Sequence, residues 1–214
     1  MTSHDPTFVV LAKRPVPGRV KTRLSPPFTA TEAADLAGAA LRDTLDVVAE
    51  LPAARRLLAF DGDPDGWLPA GWTHVAQVDG SLDRRIAAAL EASEEPTVLV
   101  GMDTPQLSAL DFAELNLTDF DASLGLATDG GYWALGLARP EIAEFVVHDI
   151  PMSRPDTGER QLHRLTQLGL RVQLLPEQTD IDTAESAATV ADLVPDSRFA
   201  RTFRTLAALP AERG

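Results

Sequence analysis

The sequence predicts an α/β fold with a mostly parallel sheet covered by helices on both faces. Three observations point there. Short apolar runs alternate with helical patterns along the whole of the 214-residue chain, as βαβ units require. The runs are apolar at consecutive positions, as in strands buried on both faces. With 44% hydrophobic and 24% charged residues, the composition is that of a soluble globular protein and too apolar for disorder. No repeat, low-complexity tract or linker divides the sequence, so one domain is expected over residues 1–214.

The elements follow in order. Residues 8–12, Phe-Val-Val-Leu-Ala, read as a buried strand, and residues 13–24 as a loop broken by Pro15, Pro17 and Gly18. Residues 29–51 read as a long helix. Thr29 and Glu32 fit a capping box, and Leu36, Ala40, Leu41, Leu45 and Val48 give one apolar stripe. Strands are expected over 56–60, 74–78 and 97–101, with a helix opened by Ser81 between the last two. Ser108 and Asp111 cap a further expected helix. Residues 122–128 and 132–138 read as a strand pair around Asp129-Gly130-Gly131. A helix over 157–168, with Gly169 suited to its C′ position, precedes a strand over 171–176 and two closing helices.

Nineteen basic against 32 acidic residues give a formal charge of −13. That opposes non-specific nucleic-acid binding and docking on anionic membranes. No apolar run reaches the roughly 18 residues of a membrane span, and the first residues lack the basic and apolar regions of a signal peptide, so a cytoplasmic protein is expected. With no cysteine there is no disulfide, thiolate metal site or thiol nucleophile. The four histidines, His4, His74, His148 and His163, are scattered and read as surface or packing residues.

In open parallel sheets ligands bind beyond the carboxyl ends of the strands, so the residues just after each strand carry the chemistry. After the first strand come Lys13, Arg14, Arg19, Lys21 and Arg23, with no acid between Pro6 and Thr31. Both lysines of the chain lie there. Five positive charges inside so acidic a protein, with Gly18 allowing close backbone approach, suit a small phosphate-bearing anion. The loop is not a Walker A motif. After the strand at 97–101 stands Asp103, a carboxylate oxygen donor of the kind Mg²⁺ or Mn²⁺ takes beside phosphates, or else a turn cap. Asp129, in Thr128-Asp129-Gly130-Gly131-Tyr132, reads as a metal ligand, a base or a hairpin residue. Gln77, Gly80 and Arg85 join a strand end to a helix start on the same rim. Ser153, Thr157 and Gly158 lie where another loop enters a helix.

Phe-Val-Val-Leu-Ala-Lys-Arg-Pro-Val-Pro-Gly-Arg-Val-Lys-Thr-Arg-Leu (8–24), then Gly-Met-Asp-Thr-Pro-Gln-Leu (101–107), Thr-Asp-Gly-Gly-Tyr-Trp-Ala-Leu-Gly-Leu (128–137) and Leu-Gly-Leu-Arg-Val-Gln-Leu-Leu-Pro-Glu-Gln-Thr-Asp-Ile-Asp-Thr (168–183), resemble in order and spacing a bacterial family of GT-A-like proteins. That family belongs to the nucleotide-diphospho-sugar transferase superfamily; its members are often labelled glycosyltransferases, some of arsenosugar biosynthesis. The superfamily also holds molybdenum-cofactor and phospholactate or phosphoenolpyruvate guanylyltransferases. The resemblance covers about residues 8–185.

It implies a GT-A fold: a Rossmann-like three-layer α/β/α sandwich with a mostly parallel, mixed central sheet and the nucleotide over its N-terminal half. It implies a metal-dependent transferase using Mg²⁺ or Mn²⁺, a nucleotide sugar or NTP, and a small-molecule acceptor. Lys13, Gly18, Lys21 and Arg23 then match the phosphate loop, Asp103 the metal aspartate, and Asp129, Gly130, Gly131 and Tyr132 the acceptor-side turn. Position on the rim adds Arg14, Thr22, Gln77, Gly80 and Arg85 to the expected nucleotide and phosphate side and Ser153, Thr157 and Gly158 to the acceptor side, with Lys21 and Asp129 as the candidate catalytic residues. The family's Gly-Ser-Asp-Cys-Pro is Gly-Met-Asp-Thr-Pro here, and Pro105 stands where a glycosyltransferase D-x-D has its second acid. Glycosyl transfer, nucleotidyl transfer with release of pyrophosphate, and nucleotide binding without turnover are the three functions in view.

Overall fold

A computed structural model describes residues 5–208; His4 lies outside them. Seven strands form one sheet: β1 (Thr7–Lys13), β2 (Arg55–Asp61), β3 (Thr73–Ala76), β4 (Thr97–Gly101), β5 (Ala122–Ala127), β6 (Tyr132–Leu137) and β7 (Val172–Gln178). Their order is β3-β2-β1-β4-β6-β5-β7. Only β6 runs against its neighbours. The helices are α1 (Ala30–Glu50), α2 (Leu82–Leu90), α3 (Ala143–Val147), α4 (Thr157–Gln167), α5 (Ala184–Leu193) and α6 (Arg198–Ala207). No helix among the described residues is long and apolar enough to cross a membrane.

The consecutive apolar residues of the strands are shared between two cores. Val10, Leu58, Val98 and Val100 face α1, while Val9, Leu57 and Leu99 face α2, α3 and α4. Each such side chain contributes roughly 1.5–3 kcal/mol on burial. The Thr29–Glu32 capping box is formed: Thr29 Oγ1 accepts the Glu32 amide, and Glu32 accepts the Thr29 amide at 2.7 Å.

The expected single stripe of α1 proves to be two. Leu41, Leu45 and Val48 face the sheet, whereas Leu36 and Ala40 face a third core against α5 and α6. α1 is therefore covered on two sides, which explains its alanine-rich sequence. Asp43 of α1, 8% exposed, accepts the backbone amides of Arg198 and Phe199 and so fastens the positive end of α6.

Three elements differ from the sequence expectation. The segment opened by Ser108 makes only a 3-10 turn, Ala109–Phe112, because Asn116 soon bonds the amides of Thr118 and Asp119 and draws the chain into a turn. α3, five residues after a 3-10 turn at Pro140–Ile142, is too short to show a helical period. β3 ends at Ala76 rather than at Val78, and the Gln77 side chain turns back to donate through Nε2 to the carbonyls of Ala12 and Ala59 at 2.8 and 2.9 Å.

The six co-directional strands end on one rim. The loops after β1, β2, β3, β4 and β7, and the β5–β6 turn, all lie there.

Candidate active site

Hydrophobic anchors shape the basic loop. Val20 is buried in the sheet-side core, and Leu24 and Phe28 in the core shared by α1, α5 and α6. Between these anchors Lys21 adopts a left-handed backbone, φ 45° and ψ 42°. A non-glycine residue held there carries strain on the order of 1–2 kcal/mol, which the anchors on either side sustain. The loop therefore buries this side chain, 9% exposed, and its Nζ lies 2.8 Å from Asp103 Oδ2.

The loop after β7 is fixed in the same way. Ile181 is fully buried in the α1–α5–α6 core, and its amide donates to the Asp103 carbonyl at 3.2 Å. Ile181 points into the core between two aspartates that meet the basic loop. Arg23 Nη1 donates to Asp182 Oδ2 at 2.6 Å. Asp180 lies within electrostatic reach of Asp103, Lys21, Asp129 and Asp182. Burial and then the Asp103 charge raise its carboxyl to about 7, against the pull of Lys21. Burial opposes the charge on Lys21, but Asp103, Asp180 and Asp182 outweigh it and hold its pKa above the usual lysine value.

Asp180 and Asp182 were not among the residues singled out from the sequence. The available signal was acid–Ile–acid, Asp180-Ile181-Asp182, shortly after a strand.

Asp129 also falls beside this group, close enough to act on Arg23 and Asp180. The sequence assigned it to the acceptor side, and the structure brings that turn up to the basic loop and Asp180. Main-chain pairing brings the β5–β6 turn against the end of β7: the Thr128 amide donates to the Gln178 carbonyl at 2.9 Å.

Gln77, Gly80 and Arg85 gather on the β1–β3 side, but mainly on one another. Arg85 donates through Nε to the Gly80 carbonyl and through Nη1 to Asp61 at 2.9 Å and Gln77 at 3.4 Å. Gln77 thus has its amide nitrogen and its oxygen engaged, and shapes the rim rather than presenting a free group to a ligand. Arg14 lies 3.8 Å from Asp63. Lys13 and Thr22 are exposed, and exposed Gly18, φ 76°, has nothing close to where a Cβ would stand.

The second glycine cluster serves the chain itself. Gly130 has φ 90°, and a Cβ there would overlap the Pro155 carbonyl; one on Gly158 would overlap the Gly131 carbonyl. The Gly158 amide donates to the Gly130 carbonyl at 2.7 Å. These glycines let the β5–β6 turn pack under the start of α4, and were expected to admit a ligand. Thr157, 4% exposed, donates its hydroxyl to the Pro151 carbonyl and accepts the Arg154 amide, so it too is committed internally. Asp129 Oδ1 accepts the Gly131 amide at 2.8 Å. Ser153 stays exposed, with φ 58°. Burial, with the Asp83 charge, raises the Tyr132 hydroxyl well above its usual range; it touches Met152 Sδ at 3.9 Å.

Asp83, His148 and Asp149 bring one ligand atom each within 4.8 Å of one another. His148, expected to stand apart, therefore has two carboxylate neighbours. His148 and Asp149 are exposed, and Asp83 already accepts the Asp149 amide at 3.2 Å.

Sheet order, the lone antiparallel strand and the position of the charged loops define the fold of the nucleotide-diphospho-sugar transferase superfamily. Within it the chain belongs to the family DUF2064, described as an uncharacterized protein conserved in bacteria, whose model matches residues 44–154. A protein provisionally named a nucleotide-diphospho-sugar transferase, from Desulfovibrio desulfuricans, superposes with a TM-score of 0.79 at 27% identity over 94% of each chain. Rv0371c of Mycobacterium tuberculosis, in complex with manganese, gives 0.51 at 19% identity, covering 87% of this chain and 97% of its own. A 4-diphosphocytidyl-2C-methyl-D-erythritol synthase from Anaerococcus prevotii gives 0.58 at 10%, covering 89% and 96%. These last two share the fold alone. No curated protein matches the sequence significantly.

Proposed function

We propose that the protein is a divalent-metal-dependent transferase that binds a nucleotide sugar and passes its glycosyl group to a small acceptor. One observation carries this reading. Lys21 and Arg23 meet Asp103, Asp129, Asp180 and Asp182 at the centre of the ligand rim of a nucleotide-diphospho-sugar transferase fold.

The donor set fits a metal. Four carboxylates face two cations, all oxygen donors are hard, and burial together with the Asp103 charge raises the Asp180 carboxyl to about 7. Asp103 and Asp180 would hold Mg²⁺ or Mn²⁺, with Asp182 and Asp129 beside them. Such an ion neutralises phosphate charge and polarises the bond to the leaving group. The manganese of the Mycobacterium tuberculosis relative supports an ion in this fold.

Lys21 would donate to the phosphate oxygens and stabilise charge building on the diphosphate as the sugar–phosphate bond breaks. Its buried position keeps water from screening that charge. Arg23, more exposed, would assist from the outer side. The basic loop residues Lys13, Arg14, Gly18 and Thr22 would lie along the nucleotide, over a rim shaped by Gln77, Gly80 and Arg85. Asp129 would accept the proton of the attacking acceptor group, which forms the new bond to the anomeric carbon. Tyr132 and Ser153 would border the acceptor.

Nucleotidyl transfer is the second reading. It is favoured by acids placed on both sides of Lys21, from the ends of β4 and β7, in place of a D-x-D after β4. Product analysis separates the two. Incubation with nucleotide sugars and NTPs in Mg²⁺ or Mn²⁺ should release nucleoside diphosphate in the first case and pyrophosphate in the second. Neither product, despite metal-dependent nucleotide binding, would leave a binding protein without turnover.

A further inference from the structure

The cations of the site are bonded directly to its acids. Lys21 Nζ is 2.8 Å from Asp103 and Arg23 Nη1 2.6 Å from Asp182. Neither loop can easily carry its charge away. Val20 and Leu24, 3% and 0% exposed, pin the chain on either side of Lys21, and Ile181, fully buried, pins the acids. Only the ends of the side chains are free to change partner. Asp180 forms no ion pair among the described residues, although the charges of Asp103, Asp129 and Asp182 all act on it.

We propose, on the basis of the transferase reading above, that Lys21 and Arg23 are resident counter-ions of Asp103 and Asp182 that exchange partners on ligand binding, so that a divalent cation and a nucleotide diphosphate or triphosphate bind cooperatively. A dication that arrives alone meets the ammonium already on Asp103 and, by displacing it, strips a buried ammonium of its bonded carboxylate and sets it beside new positive charge. A phosphate chain that arrives alone draws Lys21 and Arg23 off their acids and leaves clustered carboxylates facing new negative charge. Arriving together, the two ligands satisfy both sets. The carboxylates turn to the metal, the ammonium and guanidinium turn to the phosphates, and each ligand removes the cost the other would meet. Such coupling is reciprocal by thermodynamic necessity.

Lys21 is then a competitor of the metal as well as a ligand of the phosphates, and its removal should act on the two ligands with opposite sign. A residue that only held phosphates, or only propped up the loop, would give no such reversal.

The test is calorimetric titration of the full chain with Mn²⁺ alone, with inorganic pyrophosphate alone and with both, allowing for their association in solution. In the wild type each ligand should tighten the other by about tenfold or more. Lys21→Met should tighten Mn²⁺ alone by about fivefold or more and weaken pyrophosphate in the presence of Mn²⁺ by about tenfold, on the scale of a lost charge-assisted bond. Arg23→Gln should move both in the same directions by less, because that pair is exposed and screened. If Lys21→Met does not fold, Arg23→Gln, altered at the surface, still decides the sign.

Unchanged or weaker Mn²⁺ binding by the folded variants overturns the proposal. Independent binding of both ligands to the wild type overturns the coupling while the transferase reading stands. Failure of pyrophosphate and nucleotides to bind at any Mn²⁺ concentration overturns both.

Discussion

Replacing Asp180 by asparagine should stabilise the metal-free protein at pH 8 while removing its response to metal. The carboxyl titrates near 7 in the folded protein, raised by burial and by Asp103, against an ordinary value of 3.8. Between those values the folded state binds the proton more tightly than the unfolded state. Stability therefore falls as pH rises through this window and levels off above about 7. Holding Asp180 ionised at pH 8 costs the fold on the order of 4 kcal/mol, from about 1.4 kcal/mol for each pKa unit. At pH 5 the same reckoning leaves about 1.6 kcal/mol. An asparagine carries no such charge but leaves a half-buried amide to satisfy, at roughly 1–3 kcal/mol. The variant should thus be more stable than the wild type at pH 8 by about 1–3 kcal/mol, and the advantage should vanish or reverse at pH 5. Urea denaturation in EDTA at the two pH values measures both, with the wild type as the reference for histidine titration. A variant less stable than the wild type at pH 8, or a difference independent of pH, would refute the buried placement of Asp180 beside Asp103.

Other expectations follow from the same geometry. Lys21→Ala should weaken nucleotide binding in Mn²⁺ by at least about 1.5 kcal/mol, whereas Arg42→Ala, whose guanidinium stacks on Trp67 at 4.5 Å and is not paired with the acids around Lys21, should have a much smaller effect; equal effects in equilibrium titration would remove Lys21 from the phosphate site. Asp129→Asn, which retains an oxygen for the Gly131 amide, should lower turnover by about 10²–10⁴-fold and also weaken metal-dependent nucleotide binding, because Asp129 acts on Asp180 and Arg23; full activity in the product assay would dismiss it as a turn residue. Gly130→Ala, at φ 90° with Pro155 in the way, should cost more than about 2 kcal/mol in thermal unfolding, and a melting temperature equal to wild type would mean that the turn does not pack under α4 as described.

What the sequence revealed, and what it hid, follow from how local each signal is. The consecutive apolar residues of 8–12 and 97–101 sufficed for strands buried on both faces, and Thr29–Glu32 for the start of α1, because neighbours in sequence decide those outcomes. The two-sided burial of α1 was not legible, since it depends on α5 and α6, well over 100 residues away. The basic loop and Asp103 stood out by charge and by position after strands. Asp180 and Asp182 are acids in an acidic chain, and only the core position of Ile181 between them shows that they face the site. The glycines of 130 and 158 were readable as places of close approach, but the partner is the chain itself, and nothing in a one-dimensional pattern tells backbone from ligand.

The central claim is a metal-dependent nucleotide site built on Asp103 and Lys21, and thermal unfolding of the wild type and Asp103→Asn with nucleotide sugars and NTPs, with and without Mg²⁺ or Mn²⁺, tests it most directly. A ligand at about 100 times its Kd adds roughly 2.7 kcal/mol, which for a chain of this length raises the melting temperature by about 5–10 °C. That rise should appear in the wild type only when nucleotide and metal are both present. In Asp103→Asn, where the Lys21 pair and a hard oxygen charge are lost together, it should be absent with or without metal. A metal-dependent rise of the same size in Asp103→Asn would contradict the account and leave Asp103 as a turn residue after β4.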